Sequence, residues 1–274
     1  MSIISLPLLR YILTAALRDK IVMTLFIMIA VGVSTSIFLG SSSLVEQQEL
    51  AIVFGAGGLR FLGALGVILF SCFHIRRSFE TKEVEFLLSR PISRLNFLLS
   101  HAAAFMVISI TIAFTITLSL ILIGEPNLYG LILWGVSLTM EYSIIAVSSL
   151  FFSMVLTSAA SAALATLGLY VLSRMIGMLL GITDVMERKI MIYLGYVMEF
   201  LSIFIPRLDL MAQTSWLVYG VDDVDKVEFL MLASNFSKTF FEHVSLLGFV
   251  SMQGLVFIAL LLSAASIDLI KKQF

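Results

Sequence analysis

Residues 97–123 read FLLSHAAAFMVISITIAFTITLSLILI, a stretch of 27 residues without one Asp, Glu, Lys or Arg. As an α-helix rising about 1.5 Å per residue it is about 40 Å long, more than the roughly 30 Å of hydrocarbon in a bilayer. A soluble domain would have to hide such a run in its core. A membrane accepts it directly, because a helix satisfies its own backbone hydrogen bonds.

Working outward from that run, further apolar stretches at 21–39, 51–75, 129–156, 159–181 and 244–269 bring the count to six. The chain of 274 residues is 60% hydrophobic and 13% charged, against about 25% charged in ordinary soluble domains. The pattern predicts an all-α integral membrane protein with six transmembrane helices. No repeat of 20 to 50 residues and no low-complexity linker divides the chain, so residues 1–274 read as one membrane domain. The net charge of -1 gives no reason to expect nucleic acid as a partner. Cys72 is the only cysteine, which excludes an internal disulfide and a cysteine-built metal site.

Ahead of the first span, residues 3–18 read IISLPLLRYILTAALR, with Ile4, Leu8, Ile12, Ala15 and Ala16 near helical spacing. They suit a helix lying in the membrane surface within residues 1–20, the alternative being a plain extension of the first span. The start lacks the pattern of a cleaved signal peptide, so the first span is expected to be retained. Residues 190–206, IMIYLGYVMEFLSIFIP, are apolar but contain Glu199 and stop at Pro206. This length is short for a crossing and predicts a re-entrant or interfacial helix, with a seventh span as the competing count.

Orientation follows from the basic residues. Arg10, Arg18, Lys20, Arg76, Arg77, Lys82, Arg90, Arg94, Lys271 and Lys272 all fall on one side of a six-span chain, ten of its 17 Lys and Arg. The short loops on the other side carry Glu46, Glu49 and Glu125 and no basic residue. Both ends of the chain are therefore expected in the cytoplasm of a cell whose inner or cytoplasmic membrane holds it, and 182–242 outside. In that external segment WLVYG, at 216–220, is expected at the outer headgroup level. VDDVDKVE, at 221–228, lacks the spacing of a twelve-residue calcium loop and reads as a solvated loop.

The densest charge lies at 79–100, FETKEVEFLLSRPISRLNFLLS. It predicts a short helix over 79–88 with Glu80 and Glu83 in its first turn, favoured there by the helix dipole. A break at Pro91 and a Ser93 cap on the third span follow. The short helix presents Val84, Leu87 and Leu88 on one side and its charges on others, the make-up of a docking surface. A solvated connector is the plain alternative.

The wording LLSRPISRLNFLLS resembles the corresponding loop of permease subunits in type-2 ABC exporters. The likeness extends to LRDK before the first span and to IPRLDL followed by WLVYG before the last. The resemblance implies six transmembrane helices with an N-terminal interfacial helix, a short cytoplasmic coupling helix within the loop 76–96, and an external re-entrant or interfacial helix. It also implies a coupling element made of Phe79, Glu80, Glu83, Val84, Glu85, Leu87 and Leu88, its angle set by Arg90, Pro91 and Arg94. The expected partners are cytoplasmic ABC ATPase subunits, which carry the ATP and Mg, a second permease subunit and membrane lipid. The chain itself has no Gly-x-x-x-x-Gly-Lys-Ser/Thr phosphate loop, no His-Glu-x-x-His and no Gly-x-Ser-x-Gly, so it reads as a transport subunit and not an enzyme. A membrane scaffold or anchor subunit and an ion-driven secondary transporter are the rival classes.

Three ionisable residues fall inside the apolar runs: Arg60, Glu141 and Arg174. Counting along the spans places Glu141 near mid-membrane and both arginines shallower. A lone central charge costs about 3 kcal/mol or more, so such groups pair or face a polar cavity. Glu141 is expected to pair with Arg174; a protonated Glu141 with snorkelling arginines is the alternative. The small residues of TSAASAALATLG, 157–168, mark a close helix-packing seam.

Overall fold

The computed structural model describes residues 4–42, 47–84, 93–185, 193, 195–197, 200, 205–218 and 246–271. Eight helices are bounded among the described residues, and no strand occurs there. They are α1 Leu6–Arg18, α2 Lys20–Ser41, α3 Gln47–Glu80, α4 Arg94–Ile123, α5 Leu128–Val155, α6 Ala159–Val185, α7 Leu208–Val218 and α8 Leu246–Lys271. Six of them, α2 to α6 and α8, are long and apolar enough to cross a membrane.

Local chemistry explains where the helices begin and end. Pro7 stands in the first turn of α1, where its missing N–H costs nothing. Asp19 is extended (ψ 131°) and separates α1 from α2, its carboxylate accepting from the Ile21 N–H at 2.8 Å. α1 is thus a helix of its own and no extension of the first span. Ser93 caps α4 as its sequence implied, accepting from the Asn96 N–H at 3.2 Å. Asn127 caps α5 in the same way through the Tyr129 N–H at 3.0 Å.

α5 is the hub. It packs against α3, α4, α6, α7 and α8, and 67% of its spanning window is buried, against 22% for α2 and for α8. α2 pairs with α3 as a hairpin on the periphery, and α8 closes the other side against α5 and α4. The outer helices are apolar all round, with Phe38, Leu164 and Leu260 among the exposed side chains, as a lipid-facing surface requires. One face of the small-residue stretch after α5 packs inward: Ala162 and Thr166 are buried, and the Thr166 hydroxyl lies 3.9 Å from the Cys72 sulfur on α3.

One end of the bundle gathers α1, the end of α3, the start of α4, the α5–α6 turn and the end of α8. The Ser5 N–H donates to Ser100 Oγ at 2.9 Å. Arg76 Nη1 donates to the Leu156 carbonyl at 3.2 Å, and Arg94 Nη1 to the Leu269 carbonyl at 3.0 Å. Both described ends of the chain therefore lie on the side where the basic residues concentrate.

Two segments depart from what the sequence predicts. The helix expected to start at Phe79 does not: Phe79 and Glu80 are the last residues of α3, which runs 34 residues without a proline. The break comes at Thr81 and Lys82, where Lys82 takes φ 58°, a left-handed conformation that usually falls to glycine at a helix end. Helix resumes at Glu83 and Val84. The rest of the expected docking helix, with Glu85, Leu87, Leu88, Arg90 and Pro91, lies outside the described residues.

The second correction concerns IPRLDL and the residues after it. Read as external, they form the buried segment 205–210 and helix α7, wedged between α5 and α6 and touching α3. α7 runs antiparallel to α5: Leu217 lies against Gly130, the Met211 carbonyl meets Ser137, and Pro206 and Leu208 reach Ile144, Ile145 and Ser148. Ile144 is 16 residues into α5, so α7 starts about 24 Å along that helix and climbs back toward its beginning. The close approach at Gly130 is the reason for glycine there, since any Cβ would collide with the backbone at Leu217.

Candidate functional site

The three intramembrane charges come together where α3, α5, α6 and α7 meet. Arg60 is brought in by α3, whose Gly63 lies one turn further on. That glycine leaves room for the Tyr142 ring to rest on the α3 backbone, a place any Cβ would occupy. The Tyr142 hydroxyl then donates to the Arg60 carbonyl at 2.8 Å. This contact fixes α5 against α3 in the register that sets Glu141 opposite Arg60.

The guanidinium and carboxylate are both buried completely. Arg60 Nε donates to Glu141 Oε2 at 2.7 Å, and Nη2 donates to the same oxygen. The remaining donors go to Ser137 Oγ (3.1 Å), the Met211 carbonyl (2.8 Å) and Ser215 Oγ (3.2 Å). Ser137 in turn donates to the Met211 carbonyl at 2.9 Å, and Trp134 Nε1 to Ser215 at 3.1 Å. Trp134, Ser137 and Glu141 stand three and four residues apart on one face of α5, while Met211 and Ser215 stand four apart on α7. Arg60 thereby ties α3, α5 and α7 together, with each of its three nitrogens bonded.

Glu141 uses one oxygen for Arg60. Its Oε1 accepts no hydrogen bond and faces Arg174 Nη1 at 3.7 Å. The expected partner, Arg174, is therefore the second and more distant one, and Arg60 is the first. The depth estimate fails for a simple reason. α3 starts at Gln47, four residues before the apolar run, so Arg60 and Glu141 are both 13 residues, about 20 Å, from the starts of their helices. Arg174, 11 residues before the end of α6, sits about 16 Å in. All three occupy the middle of the bundle.

A second buried pair stands at the foot of α7. Arg207 Nε and Nη2 reach the two Asp209 oxygens at 2.9 and 2.8 Å, with the carboxylate lying against Gly177 of α6. Asp209 occupies the first turn of α7, where the positive end of the helix favours it. These two residues, with Ser137, Trp134 and Ser215, were not singled out from sequence. The one legible signal was the shared face of Trp134, Ser137 and Glu141.

The residues expected to meet an ATPase gather at the loop end of the bundle, in so far as they lie among the described residues. Glu83 accepts from the Tyr11 hydroxyl at 2.6 Å, which joins the loop to α1, and Val84 is buried. That hydrogen bond pushes the Tyr11 phenol above its ordinary range, with partial burial adding to it. Phe79 lies under the Arg76 guanidinium, 5.6 Å from ring centre. Arg94 anchors the start of α4 to the end of α8. Among the described residues no three His, Cys, Asp or Glu side chains converge to hold a metal. His74 and His101 stack with Phe70, Phe97 and Phe105 at the loop end of the bundle.

No protein-family model matches the chain, and no curated protein matches it.

Proposed function

We propose that this chain is the transmembrane permease subunit of an ATP-driven ABC exporter, set in the cell membrane with both described ends toward the cytoplasm. Two such permeases, alike or different, would work with two cytoplasmic ATPase subunits that bring the ATP and Mg. The observation that carries the reading is the way the loop at 79–94 is tied down on both flanks. Its leading side is held to α1 through Tyr11 and Glu83 and buried at Val84; its trailing side is held to α8 through Arg94 and Leu269. A push on these two flanks is passed to α1, α3, α4 and α8 together. The resemblance of LLSRPISRLNFLLS and the lack of a phosphate loop in the sequence support the same reading.

The test is a photoreactive amino acid placed at Leu87 or Leu88 in living cells. The expected product is a cross-link to a polypeptide carrying a nucleotide phosphate loop; cross-links confined to this chain and lipid would sink the proposal. One observation favours a second reading, an ion-driven secondary transporter: a buried carboxylate stands beside a half-length helix, α7, that begins deep in the bundle. Under that reading Leu87 and Leu88 cross-link no ATPase, and transport follows an ion gradient.

A further inference from the structure

Two guanidiniums share one carboxylate at mid-bundle, which leaves the Arg60, Glu141 and Arg174 group with a net charge of +1. Each Arg60 nitrogen has an acceptor, whereas Arg174 Nη1, itself buried, faces Glu141 Oε1 at 3.7 Å without a hydrogen bond. The Arg174 side chain is also the one member that is partly exposed, at 29%.

Its exposed side is apolar. Arg174 lies over the Tyr170 ring, 5.9 Å from its centre, and Tyr170 meets the exposed Phe61 of α3 at 6.2 Å. Val171, Met175 and Met178 continue an exposed apolar face along α6. On α3, one turn before Phe61, a Cβ built on Gly57 or Gly58 meets nothing within 4 Å among the described residues. A fixed cation thus opens sideways, at hydrocarbon depth, between two apolar walls. An unpaired charge is costly there, and an anion carried on an apolar tail removes the cost.

We propose that Arg174 is the recognition point for the anionic head group, phosphate or carboxylate, of a lipid-like amphipath that enters from the bilayer between α3 and α6. Phe61 and the exposed face of α6 hold its apolar part. Only the fate of the bound molecule, transport, rests on the function proposed above. The binding assay needs no ATPase, so either reading can fail alone.

The purified full chain in neutral detergent is titrated with phosphatidylglycerol or phosphatidylcholine, and bound lipid is counted by native mass spectrometry. The wild type is expected to hold a first phosphatidylglycerol about tenfold more tightly than phosphatidylcholine, the scale of one hydrogen bond to a charged group. Arg174→Gln should abolish the preference and Arg174→Lys should keep part of it. Arg77→Gln, an exposed cation at the loop end, should leave it intact. Phe61→Ala, which leaves every charge in place, should weaken both lipids and serves as a second variant should Arg174→Gln fold poorly. Equal affinity for the two lipids, an undiminished preference in Arg174→Gln, or displacement of the lipid by inorganic phosphate at matching concentration would overturn the proposal.

Discussion

Glu141 shows how one residue can hold a membrane bundle to a single arrangement. Its carboxylate faces two guanidiniums, close to Arg60 and at 3.7 Å from Arg174. Removing one partner of a buried pair costs about 3–5 kcal/mol, because the other charge is left behind. Here a second arginine stands by, so Arg60→Gln is expected near the lower end of that range. The Arg60→Gln, Arg174→Gln double variant should exceed the sum of the single losses by about 1 kcal/mol or more, since either arginine alone can compensate Glu141. Denaturing-detergent titrations of the four proteins measure this, and simple additivity would mean that Arg174 plays no part in holding the carboxylate. At this scale the sequence was partly legible. The three charges stand out against apolar runs, and their mutual attraction followed from cost alone. Which arginine lies nearer did not, because it depends on Gly63 and Tyr142 setting the register of α3 on α5.

Among elements, α7 is the one the sequence concealed. It has 11 residues, too few to span, and Asp209, Gln213, Thr214 and Ser215 lower its apolar character. Arg207 pairs with Asp209 from two residues away, but the rest of their burial comes from partners distant in sequence: Gly177 beside Asp209, and Arg60 and Trp134 beside Ser215. Periodicity within a segment cannot report such partners. The long spans were legible because hydrocarbon imposes its length on each one separately. The position of α7 also makes a specific demand on α5. Gly130→Leu should push α7 away from the start of α5 without disturbing the Ser93 cap or the loop end of the bundle. In a Cys72→Ser background, a cysteine introduced by Ser215→Cys should then react with a thiol reagent several times faster than in the parent. Unchanged labelling would show that α7 does not depend on that contact. The loop before α4 was legible in its Ser93 cap and misread at its start. α3 carries its helix past the apolar run through Arg76, Ser78 and Phe79 and stops only at the left-handed Lys82.

The described residues place a buried ion cluster in the middle of the bundle and, at one end, the anchored edges of the charged loop. α3 links the two. It carries Arg60 at mid-length and ends at Glu80, two residues before the left-handed turn. α4 and α8, joined by Arg94 and Leu269, run from the same end. An even number of crossings requires both described ends on one side. Single cysteines introduced near residues 4 and 271 in a Cys72→Ser background should label together from the cytoplasmic face of sealed membrane vesicles and not from the other. Labelling from opposite faces would demand a seventh crossing within 182–242. The central claim, that the loop receives force from an ATPase, is tested most directly by purifying the tagged protein from its native membrane in mild detergent. Its companions are identified by mass spectrometry beside a Glu83→Lys, Glu85→Lys variant and a Tyr11→Phe control that breaks the Glu83 contact without reversing charge. The expected result is a nucleotide-binding ATPase that accompanies the wild type and Tyr11→Phe and is missing from the charge-reversed variant. No ATPase with any of the three, or one retained undiminished by the charge-reversed protein, would contradict it.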